Sequence, residues 1–265
     1  MTHIALIDSG IGGFSVLAEI EAAMPEVTIS YFMDNLYLPY GELSEAELLQ
    51  RLESIVAFLL DQSELDIIVI ACNTASTQSL DFLRQRFNHT FVGVVPAIKP
   101  AALASRSGCI GLLATPATVQ GAYSHQLIDD FAEHCTVQRV GSSELVHLAE
   151  TLFWQPQSGQ QIDDEVSQNI RQITNGFAQV DTIVLGCTHF PLIKQVIQQV
   201  LGDEVLLVDS GEAIAKRVCS LLGPLATVEC GQIERKLLFS TQSLSADKLN
   251  KLAEMGFARI EHVQL

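Results

Sequence analysis

The sequence is short of positive charge. Its 265 residues include 15 lysines and arginines against 31 aspartates and glutamates, a net charge of −16. A surface of that sign repels nucleic acid and anionic membranes, and neither is expected as a partner. A small anionic ligand stays admissible, because the field within one site can oppose the global one. No stretch approaches the roughly 18 uninterrupted apolar residues that a membrane helix needs. The opening "MTHIALIDSG" lacks a basic segment followed by a long apolar one, so no secretory signal is read and a soluble cytoplasmic protein is expected. The six cysteines, at 72, 109, 135, 187, 219 and 230, include no CxxC pair. In a cytosolic chain of this size they read as reduced thiols rather than a disulfide framework. Two further absences bear on cofactors. The glycine-rich "DSGIGG" (8–13) is not followed by GK[ST], so it is not a Walker A loop. Lysines are few and none lies in the polar loops, which leaves a pyridoxal phosphate Schiff base without its amine.

What is present is ample apolar material, 48% of residues, enough for one large domain or two small ones. "HIALIDSG" (3–10) reads as a buried strand running into a polar loop, and 11–24 as the helix that follows. "VTISYFMD" (27–34) is the next strand and "NLYLPYGELS" (35–44) a loop broken by Pro39 and Gly41. Ser44 with Glu47 forms a capping box for a helix through "EAELLQRLESIVAFLLDQ". "DIIVIAC" (66–72) is a third strand, "STQSLDFLRQRF" a third helix and "FVGVVP" (91–96) a fourth strand. Strands alternating with helices imply right-handed crossovers and a mainly parallel sheet covered on both faces, an α/β fold.

The order then restarts. "SGCIGLLATPATVQGAYSHQLIDDF" (107–131) repeats strand, small-residue loop and helix, and "TVQRVG" (136–141) follows as a strand. "DTIVLGC" (181–187) mirrors "DIIVIAC": Asp66 and Asp181, Ile68 and Ile183, Val69 and Val184, Cys72 and Cys187 are identical pairs. The chain is read as two similar α/β domains facing each other across a cleft. The first comprises 1–97 plus 208–265 and carries Cys72; the second, 98–207, carries Cys187.

Functional groups of open α/β sheets collect at the carboxyl ends of strands, where both cysteines sit. Two thiols on opposite sides of one ligand suit a reaction that removes a proton from one face and returns one to the other. A cysteine after an apolar strand is more commonly a small buried hydrophobe, and Cys109, Cys135, Cys219 and Cys230 are read that way. A zinc site from Cys72, Cys187 and His189 lacks a ligand-spacing signature, so no metal is assigned. A redox disulfide between the two thiols is the other alternative. His189 follows Cys187 closely enough to reach the same pocket, and Asp8 and Ser9 stand at a strand end before glycines that let backbone N–H groups approach a ligand.

"DSGIGG", "PYG", "CNTAS", "LLATPATV" and "GCTHFPL", in this order and across essentially the whole chain, resemble the glutamate racemases of the cofactor-independent aspartate/glutamate racemase superfamily. The resemblance implies that Cys72 and Cys187 are the acid/base pair, Cys72 taking the proton from the D enantiomer and Cys187 from the L. It implies substrate contacts from Asp8, Ser9, Tyr40, Gly41, Asn73, Thr74, Thr115, Thr118 and Thr188. Asp8, Asp34, Glu150 and His189 match acidic or basic positions around the thiols, with His189 expected to assist Cys187 and Asp8 to assist Cys72. It further implies no cofactor, glutamate as the small-molecule partner, a homodimer, and a role in supplying D-glutamate for peptidoglycan. "DNLY" (34–37) departs from the D-T-A-R stretch of many members. The chain starts seven residues before Asp8, without the extension of members activated by a cell-wall precursor, so no such activation is expected. Three rivals remain: a racemase of aspartate or another amino acid, a cysteine hydrolase built on Cys187 and His189, and a non-catalytic sensor of an anionic amino acid.

Overall fold

The computed structural model describes residues 2–155, 164–223 and 234–265. The chain begins β1 (His3–Asp8), α1 (Phe14–Ala23), β2 (Thr28–Met33), α2 (Glu45–Gln62), β3 (Ile67–Ile70), α3 (Asn73–Arg86) and β4 (Phe91–Gly93). It continues through α4 (Ile98–Ala104), β5 (Cys109–Ala114), α5 (Pro116–Gln120), α6 (Ala122–Phe131), β6 (Thr136–Gly141), α7 (Glu144–Trp154), α8 (Asp164–Thr174), β7 (Thr182–Leu185), α9 (Lys194–Leu201) and β8 (Leu206–Val208). It ends with α10 (Gly211–Leu222), β9 (Arg235–Phe239), α11 (Ala246–Glu254) and β10 (Arg259–His262). The chain divides into two compact units, 1–94 with 211–265, and 95–210.

Among the described residues, the first unit holds a sheet of order β10-β9-β2-β1-β3-β4 and the second a sheet of order β6-β5-β7-β8, every pairing parallel. The strands are continuous apolar runs because helices cover both faces; Ile4 to Ile7 and Ile67 to Ile70 are all buried. Against β3 lies the stripe Leu48, Leu52, Ile55, Val56 and Leu59 of α2. That helix starts with the expected capping box: Ser44 Oγ accepts from the Glu47 amide at 3.4 Å, and the Glu47 carboxylate accepts from the Ser44 amide at 3.0 Å. The second unit has its own core of Ile98, Ala101, Ile110, Leu112 and Val184.

The repeat seen in the sequence is a repeat of hydrogen bonds. The Ala71 amide donates to Ile7 O at 2.8 Å, and the Gly186 amide donates to Leu113 O at 2.7 Å. The next residue in each case is a cysteine. At the opposite strand ends, Asp66 accepts from the His3 amide at 2.8 Å, while Asp181 accepts from Ser105 Oγ and from the Arg106 and Ser107 amides, each at 2.7 Å. The identical aspartates of the two strands are clasps that fix the lower ends of adjacent strands.

Four local expectations change. α3 begins at Asn73, inside what reads as a loop, so Cys72 is its N-cap. The small-residue loop expected after β5 holds a short helix instead: Thr115 caps α5 and Pro116 occupies its first position, where its missing N–H costs nothing. Of "FVGVVP" only Phe91–Gly93 is strand; the next amide, Val94, is shared between Ile70 O at 3.2 Å and Ser76 Oγ at 2.9 Å. Cys109, Cys135 and Cys219 are half-buried rather than core residues. Cys109 lies at the start of its strand, where its thiol meets Ala178 O and the Gln138 amide group instead of packed hydrocarbon. Cys230 lies outside the described residues.

Candidate active site

In the first unit, three adjacent parallel strands, β2, β1 and β3, release the chain side by side. The Asp34 amide donates to Asp8 O at 2.8 Å, and Ala71 is bonded to Ile7. The chain exits therefore carry Asp34, Asp8 and Cys72 in a row, all buried. The loop after Asp8 is drawn tight. Asp8 Oδ1 accepts from the Gly10 amide at 2.6 Å, and Tyr31 Oη donates to Gly10 O at 2.9 Å. Gly13 is required by space: a Cβ there would lie 2.5 Å from Tyr31 Oη and 3.0 Å from Asp8 Cβ.

Cys72 heads the 14-residue α3, whose first residues Asn73 and Thr74 are buried beside it. The partial positive charge of a helix N-terminus favours an anion there and lowers the cost of a thiolate. Asn73 is 3% exposed, and its Nδ2 donor meets no acceptor among the described residues. A buried donor in that state is ready for an incoming acceptor. Ser76 behaves differently. Its hydroxyl donates to Ile70 O at 2.8 Å and accepts from Val94, which makes it a fastener between β3 and β4.

Tyr40 sits in a single turn of 3-10 helix (Tyr40–Glu42) with Gly41 half-buried beside it. Its hydroxyl donates to Asp34 Oδ2 at 2.8 Å. Burial, then the Asp34 carboxylate and the neighbouring Cys72, push the phenol well above its ordinary range and keep it protonated. Asp34 is held from the other side by Arg51, Nε to Oδ2 at 2.9 Å and Nη2 to Oδ1 at 2.7 Å. The divergent "DNLY" stretch has defined work here. Asn35 Oδ1 accepts from the Ser240 and Thr241 amides, and the Tyr37 ring lies 4.5 Å under the Arg51 guanidinium.

The second unit presents its own group. Cys187 and Thr188 are buried at the exit of β7. Cys187 Sγ lies 3.8 Å from His189 Nδ1, and His189 Nε2 lies 2.9 Å from Glu150 Oε1. The other carboxylate oxygen of Glu150 accepts from Trp154 Nε1 at 3.0 Å. Glu150 is a carboxylate acceptor, so the imidazole carries its proton on Nε2 and offers Nδ1 to the thiol. At the exit of β5, Thr115 Oγ1 donates to Thr118 Oγ1 at 3.0 Å and accepts from the Thr118 amide at 3.2 Å, both residues buried.

Within the first unit the structure thus brings together Cys72, Asp8, Ser9, Tyr40, Gly41, Asn73 and Thr74. Within the second it links Cys187, His189 and Glu150 in one chain and pairs Thr115 with Thr118. Sequence reasoning passed over Arg51 and Trp154. Each left a signal: Arg51 interrupts the apolar stripe between Leu48 and Leu52, and Trp154 stands one helical turn after Glu150.

Residues 15–218 match the family model described as Asp/Glu/hydantoin racemase. A glutamate racemase of Shewanella woodyi is 45% identical over 266 residues, covering 98% of each chain. One from Vibrio vulnificus is 46% identical over 261 residues, covering 98% of this chain and 96% of its own. Among solved structures, Escherichia coli glutamate racemase in complex with L-glutamate and the activator UDP-MurNAc-ala superposes with a TM-score of 0.88 at 38% identity, over 99% of this chain and 98% of that one. The glutamate racemase of Aquifex pyrophilus gives a TM-score of 0.75 at 30% identity, over 98% of both chains.

Proposed function

The chain belongs to the Asp/Glu/hydantoin racemase family and is an isomerase, and from that premise we propose that it interconverts L- and D-glutamate by proton transfer at Cα between Cys72 and Cys187. The observation that carries this reading is the equivalence of the two cysteines. Each follows a residue whose amide closes the same hydrogen bond to the adjacent strand, β1 or β5, and the run β2-β1-β3-β4 of the first sheet has the order of β6-β5-β7-β8 in the second.

Racemisation needs one thiolate and one thiol, exchanging roles with direction, whereas a free cysteine of pKa about 8.5 is mostly protonated at neutral pH. The two sulfurs have different help. At Cys187, His189 Nδ1 accepts the thiol proton and the Glu150 carboxylate steadies the imidazolium that forms. At Cys72, the head of α3 stabilises negative charge, with Asp8 on the adjacent strand exit as the proton-exchanging neighbour. The Asn73 Nδ2 donor, unmet among the described residues, with the Ser9, Thr74, Thr115, Thr118 and Thr188 groups and Tyr40–Gly41, would hold the substrate carboxylates and the charge that develops on loss of the Cα proton. Cys72 is assigned the D enantiomer and Cys187 the L. The reading uses no cofactor, places the enzyme in the cytoplasm as a homodimer, and gives its D-glutamate to peptidoglycan synthesis. No helix among the described residues is long and apolar enough to cross a membrane.

The test is racemisation in heavy water, from each enantiomer, with no added cofactor. Inverted product carrying one Cα deuterium is expected. Inversion with full retention of the original hydrogen would sink the two-thiol reading, and turnover of aspartate in preference to glutamate would replace the substrate. A second reading, a hydrolase forming a Cys187 thioester, draws on the same thiol–imidazole–carboxylate chain. It leaves Cys72 without a role, and release of ammonia or alcohol from an amide or ester would reveal it.

A further inference from the structure

Three potential negative charges meet at the first unit's strand exits: Asp8, Asp34 and the thiolate of Cys72. Left alone, like charges gathered on adjacent strand exits would each resist ionisation of the others. The arrangement around Asp34 removes one of them. Asp34 is 0% exposed and Arg51 7%, on a helix face otherwise made of leucine, isoleucine and valine. Both guanidinium contacts are short and bidentate. The remaining Nη1 donates to Leu265 O at 3.1 Å, and the Tyr37 ring covers the guanidinium face. A buried arginine with every edge engaged holds its carboxylate in one place and at net zero charge.

The pair also fixes what stands next to Cys72. Tyr40 donates its hydroxyl hydrogen bond to Asp34, which orients its ring. The turn that carries Tyr40 packs on α3, and Tyr40 and Cys72 lie in the same buried cluster. Among the described residues, the buried charged and titratable groups around Cys72 are Asp8 after β1, Asp34 after β2, Tyr40 in the turn and Arg51 on α2; Tyr37 is half-buried against the same cluster, Glu53 on α2 is half-buried, and Glu42, Glu45 and Glu47 with Asp81, Arg84 and Arg86 of α3 are exposed to solvent.

We infer that Arg51 is a positioning residue of the Cys72 half of the site, neutralising Asp34 and, through it, seating Tyr40 against the thiol, so that it sets the reactivity of Cys72 and leaves Cys187 untouched. The inference deepens the two-thiol reading and rests on it for its catalytic meaning. Arg51→Met leaves a buried carboxylate uncompensated near Cys72. Arg51→Met with Asp34→Asn removes both charges together. Arg51→Lys keeps the charge but loses the fork.

The readout is the rate of iodoacetamide alkylation of Cys72 and of Cys187, resolved by peptide mass spectrometry, as a function of pH in the folded protein without substrate. In Arg51→Met the Cys72 midpoint should rise by about one pH unit, a roughly tenfold loss of thiolate below it, with the Cys187 midpoint unmoved. The double variant should bring the Cys72 midpoint back to within a few tenths of a unit of the parent, and Arg51→Lys should fall between. Equal changes at both thiols, no change at either, or no recovery in the double variant would overturn the inference and leave Arg51 a structural ion pair. If Arg51→Met does not fold, the Arg51→Lys and double variants carry the same comparison. Alkylation does not involve glutamate, so a shifted Cys72 midpoint in a protein whose parent fails to racemise glutamate would defeat the substrate reading alone.

Discussion

Replacing Glu150 by glutamine tests the Cys187 half of the mechanism at one atom. Glu150 now accepts two hydrogen bonds, from His189 Nε2 at 2.9 Å and Trp154 Nε1 at 3.0 Å. A glutamine has one acceptor and one donor group, so it cannot serve both. If its oxygen turns to His189, its NH2 opposes the indole N–H. If its NH2 turns to His189, Nε2 must accept, the proton moves to Nδ1, and the neutral imidazole can no longer take a proton from Cys187. His189 is 3% exposed and Glu150 14%, so water offers little relief. Losing one partner of a buried hydrogen bond costs about 1–3 kcal/mol. That corresponds to a roughly 5- to 150-fold fall in kcat/KM.

The fall must be the same from both enantiomers. L- and D-glutamate have equal free energies in water, which fixes the ratio of the two kcat/KM values at unity in any variant. The individual kcat and KM values need not change alike, and a difference between the two directions is where the loss of one assisted thiol shows. The assay is circular dichroism of each enantiomer at several pH values, with the parent and Glu150→Gln side by side. A variant within twofold of the parent throughout would refute the thiol–imidazole–carboxylate chain as a working unit.

Cys72→Ser and Cys187→Ser should each lose racemisation by orders of magnitude in a folded protein, measured by the same optical assay, because a hydroxyl is far too weak an acid and base for either step. Gly13→Ala should displace Tyr31 Oη from Gly10 O and disturb the loop that holds Asp8. The expected result is at least a roughly tenfold loss of kcat/KM, with activity near the parent level as the disproof. Asp181→Asn should lower the stability of the second unit by about 1–2 kcal/mol in urea unfolding at pH 7, since a carboxylate serving Ser105, Arg106 and Ser107 is removed. Burial opposes ionisation of Asp181, but those hydrogen bonds outweigh it and hold the carboxyl below its ordinary value of 3.8. A depressed pKa contributes stability above the unfolded value and loses it as the pH falls through the folded one, so the gap to Asp181→Asn should narrow only below about pH 3.8. A gap that closes at neutral pH would be the wrong sign.

Much of this architecture was legible because burial on two faces leaves no freedom of pattern. "IALI", "IIVI" and "TIVL" can be little else than interior parallel strands, and the paired cysteines follow from where those strands stop. The capping box of α2 was readable because both of its partners lie within one turn. "CNTAS" hid its helix, since Asn73, Thr74 and Ser76 favour loops in isolation, and only the closure of α3 onto its sheet makes Cys72 a cap. The Arg51–Asp34 pair joins residues in different elements. On the sequence alone, an arginine within an apolar stripe reads as a long side chain reaching for solvent. The half-exposed Cys109 likewise reflects its place at the first residue of β5, a boundary that hydropathy does not mark.

Cys72 caps a long helix, whereas Cys187 faces a histidine backed by a glutamate. On the proposed two-thiol reading, mirror-image substrates would be handled by tools that are not copies of each other, although the strands that carry them are. For such a racemase, thermodynamics alone would enforce even-handedness between the enantiomers, leaving descent free to equip each half in its own way. A chemist gains from that freedom, because a warhead carried on one enantiomer would confront a different local chemistry from the same warhead on its reflection.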